Sequence, residues 1–177
     1  ANVLAEYLDN DEDGVVDNDK MVDALRAAGV SLMLTKNPAE LTRIRANQAR
    51  FMPRPSKSLW ADNIGPNHGV DGFNDEALEE VLHMITRHGY GNAYPDVFGM
   101  EPGTKVSQAM DLARKGHYDE VPEAYPEGAW FTYFDETCRY SCMMNEYIYW
   151  VITSILGSQD FPGRLERIGN EWPLNTK

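Results

Sequence analysis

The stretch from Met143 to Leu156, MMNEYIYWVITSIL, constrains this chain more than any other. It is almost unbroken apolar and aromatic sequence, and Gly157 follows as the kind of left-handed stop at which helices end. A helix that is apolar all round belongs in the middle of a fold, so this one is expected to be central and buried. It nevertheless carries one full charge, Glu146. A carboxylate taken out of water needs a cation, a metal ion or several hydrogen bonds to offset its lost solvation. Some other part of the chain is therefore expected to be aimed at Glu146.

A chain of 177 residues with four Trp, nine Tyr and six Phe can fill a substantial core, and it reads as a single globular domain over 1–177. No apolar run approaches the roughly 20 residues that span a bilayer, so Tyr147–Leu156 is a core helix and no membrane span is expected. The 28 acidic residues outnumber 16 basic ones, for a net charge of −12. That balance speaks against nucleic acid or an anionic membrane as a partner, and it suits divalent cations.

Residues Asp9 to Lys20 read DNDEDGVVDNDK. Asp9, Asp11 and Asp13 stand at positions 1, 3 and 5 of a calcium loop, and Gly14 stands at position 6, where the chain must turn sharply. Val15 would offer its carbonyl at position 7, Val16 is apolar at position 8, and Asp17 falls at position 9. Over about twenty residues this resembles the EF-hand family and its dockerin-type relatives. The resemblance implies a calcium ion held by Asp9, Asp11, Asp13, Val15 and Asp17 inside a helix–loop–helix over 2–29. Position 12 departs from the pattern, being Lys20. Asp19, a water molecule or a more distant carboxylate would have to complete the shell. The competing reading is an acidic, solvated turn. Helices are expected over Asn2–Leu8 and Asp19–Ala28, the second stopping at Gly29.

Compartment bears on the two cysteines, Cys138 and Cys142, four residues apart. They read as free thiols in a cytosolic protein and as a local disulfide in an exported one. The numbering opens at Ala1, as in a processed exported chain or a trimmed one. With the calcium-type loop this favours an extracellular, secreted protein and a disulfide.

The remaining chain reads as helices separated by long irregular loops. Asn37, Pro38 and Glu40 form a helix-start signature, with the helix running to about Phe51. Its arginines read either as a solvated basic face or as a site for phosphate or an acidic partner. Residues 52–72 read as an irregular crossing containing Trp60 and His68. A helix capped by Asn74 or Asp75 is expected to end at Gly89, followed by a loop to Phe98. Thr104 caps another helix that closes at Gly116, the run WFTYF at 130–134 is a short strand or aromatic packing, and a last helix ends near Gly169. The fold class is mainly α, with about six helices, one of them central and buried.

On the helix after Asp75, Ala77, Leu78, Val81, Leu82, Met84 and Ile85 cover one side. Glu76, Glu79, Glu80, His83, Thr86 and Arg87 fall together on the other. The segment Glu79–Glu80–Val81–Leu82–His83 resembles the zincin metallopeptidase signature H-E-x-x-H with its first histidine replaced by Glu79. Asn145–Glu146 resembles the later Glu-bearing element of the gluzincin branch. The resemblance implies that Glu79, His83 and Glu146 bind zinc or another transition metal, with Glu80 as general base. A carboxylate in place of an imidazole makes such a site harder and more anionic.

Other readings stand beside it. Glu80 and His83 also fit half of a di-iron carboxylate site, but no second E-x-x-H occurs. The polar stripe also fits a solvated face, with Glu146 satisfied by Arg139, Arg114 or tyrosine hydroxyls. His68 and His88 are further candidate ligands, although His88 lies five residues from His83 and points off its face. The resulting expectation is a secreted calcium-binding protein with a second metal site, acting as a metal-dependent hydrolase on a peptide or small molecule. The alternative is a non-enzymatic, calcium-stabilised structural or interaction protein.

Overall fold

The computed structural model describes residues 2–48, 55–61, 64 and 76–174. The chain folds as two compact units, Ala1–Ala93 and Tyr94–Lys177.

The first unit opens with α1 (Asn2–Leu8) and α2 (Asp19–Ala28), joined by the aspartate loop. Local chemistry sets the ends of α2. The Asn18 side chain accepts from the Met21 amide at 3.0 Å, and Gly29 adopts the left-handed conformation (φ +61°) that terminates the helix. Strand β1 (Ser31–Thr35) follows, then α3 (Pro38–Gln48) and β2 (Ser56–Trp60). The start of α3 is the expected one: Asn37 Oδ1 accepts from the Glu40 amide at 2.9 Å, and Glu40 reaches back to the Lys36 amide at 2.7 Å. Phe51, His68 and the Asn74–Asp75 cap lie outside the described residues.

The two strands pair in parallel, Ser31 opposite Ser56 through Thr35 opposite Trp60. The protein is thus helix-rich but carries a small sheet, and among the described residues it has more than six helical segments. The expected irregular crossing contains a strand because Leu59, 2 % exposed, is drawn inward while the backbone pairs with β1.

Helix α4 (Glu76–Met84) runs straight into a π-helical turn, Ile85–Tyr90, and then into the short α5 (Gly91–Ala93). The Gly91 amide donates to the Thr86 carbonyl, the i→i−5 bond of a π-turn. Gly89 therefore does not stop the helix. A Cβ there would stand 2.8 Å from the Met21 side chain, so the glycine lets α2 approach the π-turn closely. Met21, Val22, Leu25, Val81 and Ile85 form the core of this unit, with Val3, Leu4, Tyr7, Val16 and Leu32 packed around them. The helix–loop–helix is fastened to α4 by this cluster, each fully buried member contributing about 1.5–3 kcal/mol.

In the second unit the expected loop before Phe98 includes a helical turn, α6 (Pro95–Phe98). Helix α7 (Lys105–Ala113) is capped by Thr104, whose hydroxyl accepts from the Ser107 amide at 3.2 Å. The left-handed residue after it is Lys115 (φ +58°), one position before the expected Gly116. Helix α8 (Tyr140–Ile155) is the apolar helix, and Gly157 takes the left-handed conformation (φ +79°) just beyond it. It buries Met143, Met144, Ile148, Tyr149 and Trp150, but Ile155 is 59 % exposed and Glu146 is only half-buried. The residues 130–134 form no strand. Phe131 is instead buried against Tyr147 and Trp172, at ring distances of 5.4 and 6.4 Å. The short α9 (Arg164–Ile168) follows. Cys138 and Cys142 are disulfide-bonded at the start of α8. No described helix is long and apolar enough to cross a membrane.

Candidate metal centres

The aspartate loop is built almost wholly from its own residues. Asp9 Oδ1 accepts from the Asp13 amide at 3.1 Å, and its Oδ2 accepts from the Gly14 amide at 2.9 Å. Asp13 accepts from the Val15 amide at 2.7 Å, and Asp17 accepts from the Asn10 amide at 2.9 Å. Two left-handed residues, Glu12 (φ +58°) and Gly14 (φ +84°), fold the chain tightly enough for these bonds. The result gathers Asp9, Asp11 and Asp13 so that one oxygen from each lies within 4.8 Å of the others, a group able to hold a metal ion. Val16 packs towards the core while Val15 is 64 % exposed, leaving the Val15 position on the solvent side. Asp17 belongs to the loop through its bond to Asn10 rather than to the three-carboxylate group. Asp19 is the first residue of α2 and is likewise outside that group.

On α4 the polar stripe is not a solvent-facing stripe. His83 is 1 % exposed and Thr86 equally buried, whereas Leu78, on the expected apolar side, is 40 % exposed. Glu79, one turn earlier, places Oε1 3.6 Å from His83 Nε2. That separation is too long for a hydrogen bond and close to the roughly 3.4 Å between two atoms bound about 2.1 Å from one tetrahedral ion. The Thr86 hydroxyl donates to the Leu82 carbonyl at 2.9 Å, at the junction with the π-turn. Glu80 has a partner that its sequence position does not announce: Lys57 Nζ on β2 is 2.7 Å from Glu80 Oε2. His88 lies on the π-turn, and burial, followed by the charges of Arg87 and Lys57, lowers its pKa.

Glu146 stands on α8 in the second unit. The two arginines considered as its partners are engaged with other carboxylates. Arg114 Nη2 is 2.6 Å from Asp111 Oδ1, and Arg139 pairs with Glu120.

No protein-family model matches this chain, and neither a curated protein nor a solved structure is significantly similar to it. The chemistry of these side chains is therefore the whole basis for a functional reading.

Proposed function

We propose that this chain is an exported metal-binding protein with two ion sites of different hardness. The first is a calcium-class site in the loop, with Asp9, Asp11 and Asp13 as carboxylate ligands, Val15 offering its carbonyl and Asp17 close by. It braces the EF-hand-like helix–loop–helix over 2–29. The observation that carries this reading is the convergence of Asp9, Asp11 and Asp13 oxygens within 4.8 Å. Hard cations favour such all-oxygen sets, and an ion offsets the mutual repulsion of the carboxylates. Lys20 at position 12 removes the usual bidentate acid, so the affinity expected is modest. Export is supported by the Cys138–Cys142 disulfide, which suits an oxidising compartment.

The second site takes zinc or another first-row ion at Glu79 and His83, one turn apart on α4. Its support is the burial of His83 beside Glu79, an imidazole and a carboxylate on one helix at a separation that a single ion can bridge. A hydrolase reading of this site rests on Glu80. Lys57 Nζ, 2.7 Å from Glu80 Oε2, holds that carboxylate in place beside the pair. Glu80→Gln is then expected to retain the transition metal and to lose metal-dependent hydrolysis of peptide or ester substrates. Equal hydrolysis by both proteins would exclude Glu80 as the base and favour a non-enzymatic role.

The loop site is tested by thermal unfolding with millimolar calcium and with EDTA. Calcium at 100 times its dissociation constant is expected to add about 2.7 kcal/mol through mass action. Asp11→Ala combined with Asp13→Ala should abolish the difference. Coincident melts of the wild type under both conditions would remove the calcium assignment.

A further inference from the structure

The second unit holds a chain of charges that starts inside its core and ends in solvent. Arg114 is 0 % exposed, and its guanidinium lies 5.2 Å from the centre of the Tyr140 ring. It donates to Asp111 Oδ1 at 2.6 Å and to the Tyr118 carbonyl at 3.3 Å. The other oxygen of Asp111 accepts from the Tyr140 hydroxyl at 3.1 Å and lies 2.8 Å from His117 Nδ1. The opposite nitrogen of the same imidazole, Nε2, is 3.3 Å from Asp119 Oδ1. The His117 ring also packs on the Tyr140 ring, with centroids 4.7 Å apart.

This geometry sets a protonation requirement. A neutral imidazole has one donor and one acceptor, whereas carboxylates accept only. With a carboxylate at each nitrogen, only the doubly protonated ring satisfies both. We propose that His117 is a proton-operated clasp that fastens the 114–120 turn to the end of α7 and to the first turn of α8. Without its Nε2 proton, the ring turns a lone pair towards Asp119, whose 79 % exposed side chain then swings into water. Asp111 stays neutralised by Arg114, so the Asp119 side is the one that opens.

What the clasp holds is the anchored beginning of α8. The Asp119 carbonyl accepts from the Tyr140 amide at 3.0 Å, and Glu120 bridges to Arg139. The disulfide spans Tyr140. Three groups face the ring among the described residues: Asp111 from α7, with Arg114 behind it; Asp119 from the connecting segment; and the Tyr140 ring from α8. The bond to Asp111 and the two negative charges raise the His117 pKa above its usual 6.5. The folded value therefore exceeds the unfolded one. The stabilisation is complete below the unfolded value and is lost as pH rises through the folded value.

The test is an NMR titration of the His117 ring in the full chain, together with Asp119→Asn, which alters an exposed side chain. In the wild type we expect both ring nitrogens protonated through pH 6.5 and a pKa above that value, with Asp119→Asn shifting it downwards. Urea midpoints should fall with rising pH more steeply in the wild type than in His117→Gln. A His117 pKa at or below 6.5, or one unmoved by Asp119→Asn, would overturn the proposal even if His117→Gln failed to fold.

Discussion

In the aspartate loop, the hydrogen bonds that orient the acidic side chains come from residues between Asn10 and Val15. On α4, His83 meets Glu79 from its own helix, and its burial is supplied by packing from elsewhere in the fold. The loop is a surface arrangement that a short run of consecutive residues can build. The α4 pair is an interior arrangement that exists only once the tertiary structure does. The two should therefore respond differently to the same perturbations: the loop to ions and to substitutions within it, the α4 pair to the integrity of the core.

The largest separation should come from Met21→Ala. Met21 is 1 % exposed and packs where Gly89 admits it, so truncation should cost about 2–5 kcal/mol, measured by urea unfolding. Calcium binding by the native loop should survive, because its orienting bonds are made within the loop and not by α2. A loss of calcium affinity as large as the loss of stability would show that the loop is not self-contained.

Much of the fold was legible because helix ends are written locally. Gly29, Asn37, Thr104 and Gly157 each act where their side-chain chemistry or backbone freedom predicts. The parallel sheet was not, since SLMLT and SKSLW are five-residue runs without clean alternation, paired 25 positions apart in register. Gly89 misleads for a related reason. A glycine needed for close approach to Met21 looks the same in sequence as a glycine that ends a helix. The spacing of Glu79 and His83 is readable, but not the burial of His83, because a helical wheel shows which residues share a face and not what covers that face. Lys57 opposite Glu80 left no sequence signal beyond two opposite charges 23 residues apart.

A smaller effect concerns pH, where the two units should differ in sign. His88, in the first unit, has a lowered pKa, caused first by burial and then by Arg87 and Lys57. The unfolded chain takes up the proton more readily than the folded one. Stability contributed by neutral His88 is therefore present above the unfolded value of 6.5 and lost as pH falls below it, until the folded value is reached. His117, in the second unit, runs the other way. Urea midpoints of His88→Gln should decline less on the acid side than those of the wild type. Parallel acid limbs for the two proteins would contradict this assignment.

The most direct test of the two-site reading is the metal content of protein purified without chelators, compared with that of Glu79→Gln and of the Asp11→Ala, Asp13→Ala pair. We expect calcium and one first-row transition ion in the wild type. The transition ion alone should be lost from Glu79→Gln, and calcium alone from the aspartate double variant. A wild type that carries neither ion after equilibration with both, or a Glu79→Gln protein with its transition metal intact, would contradict it.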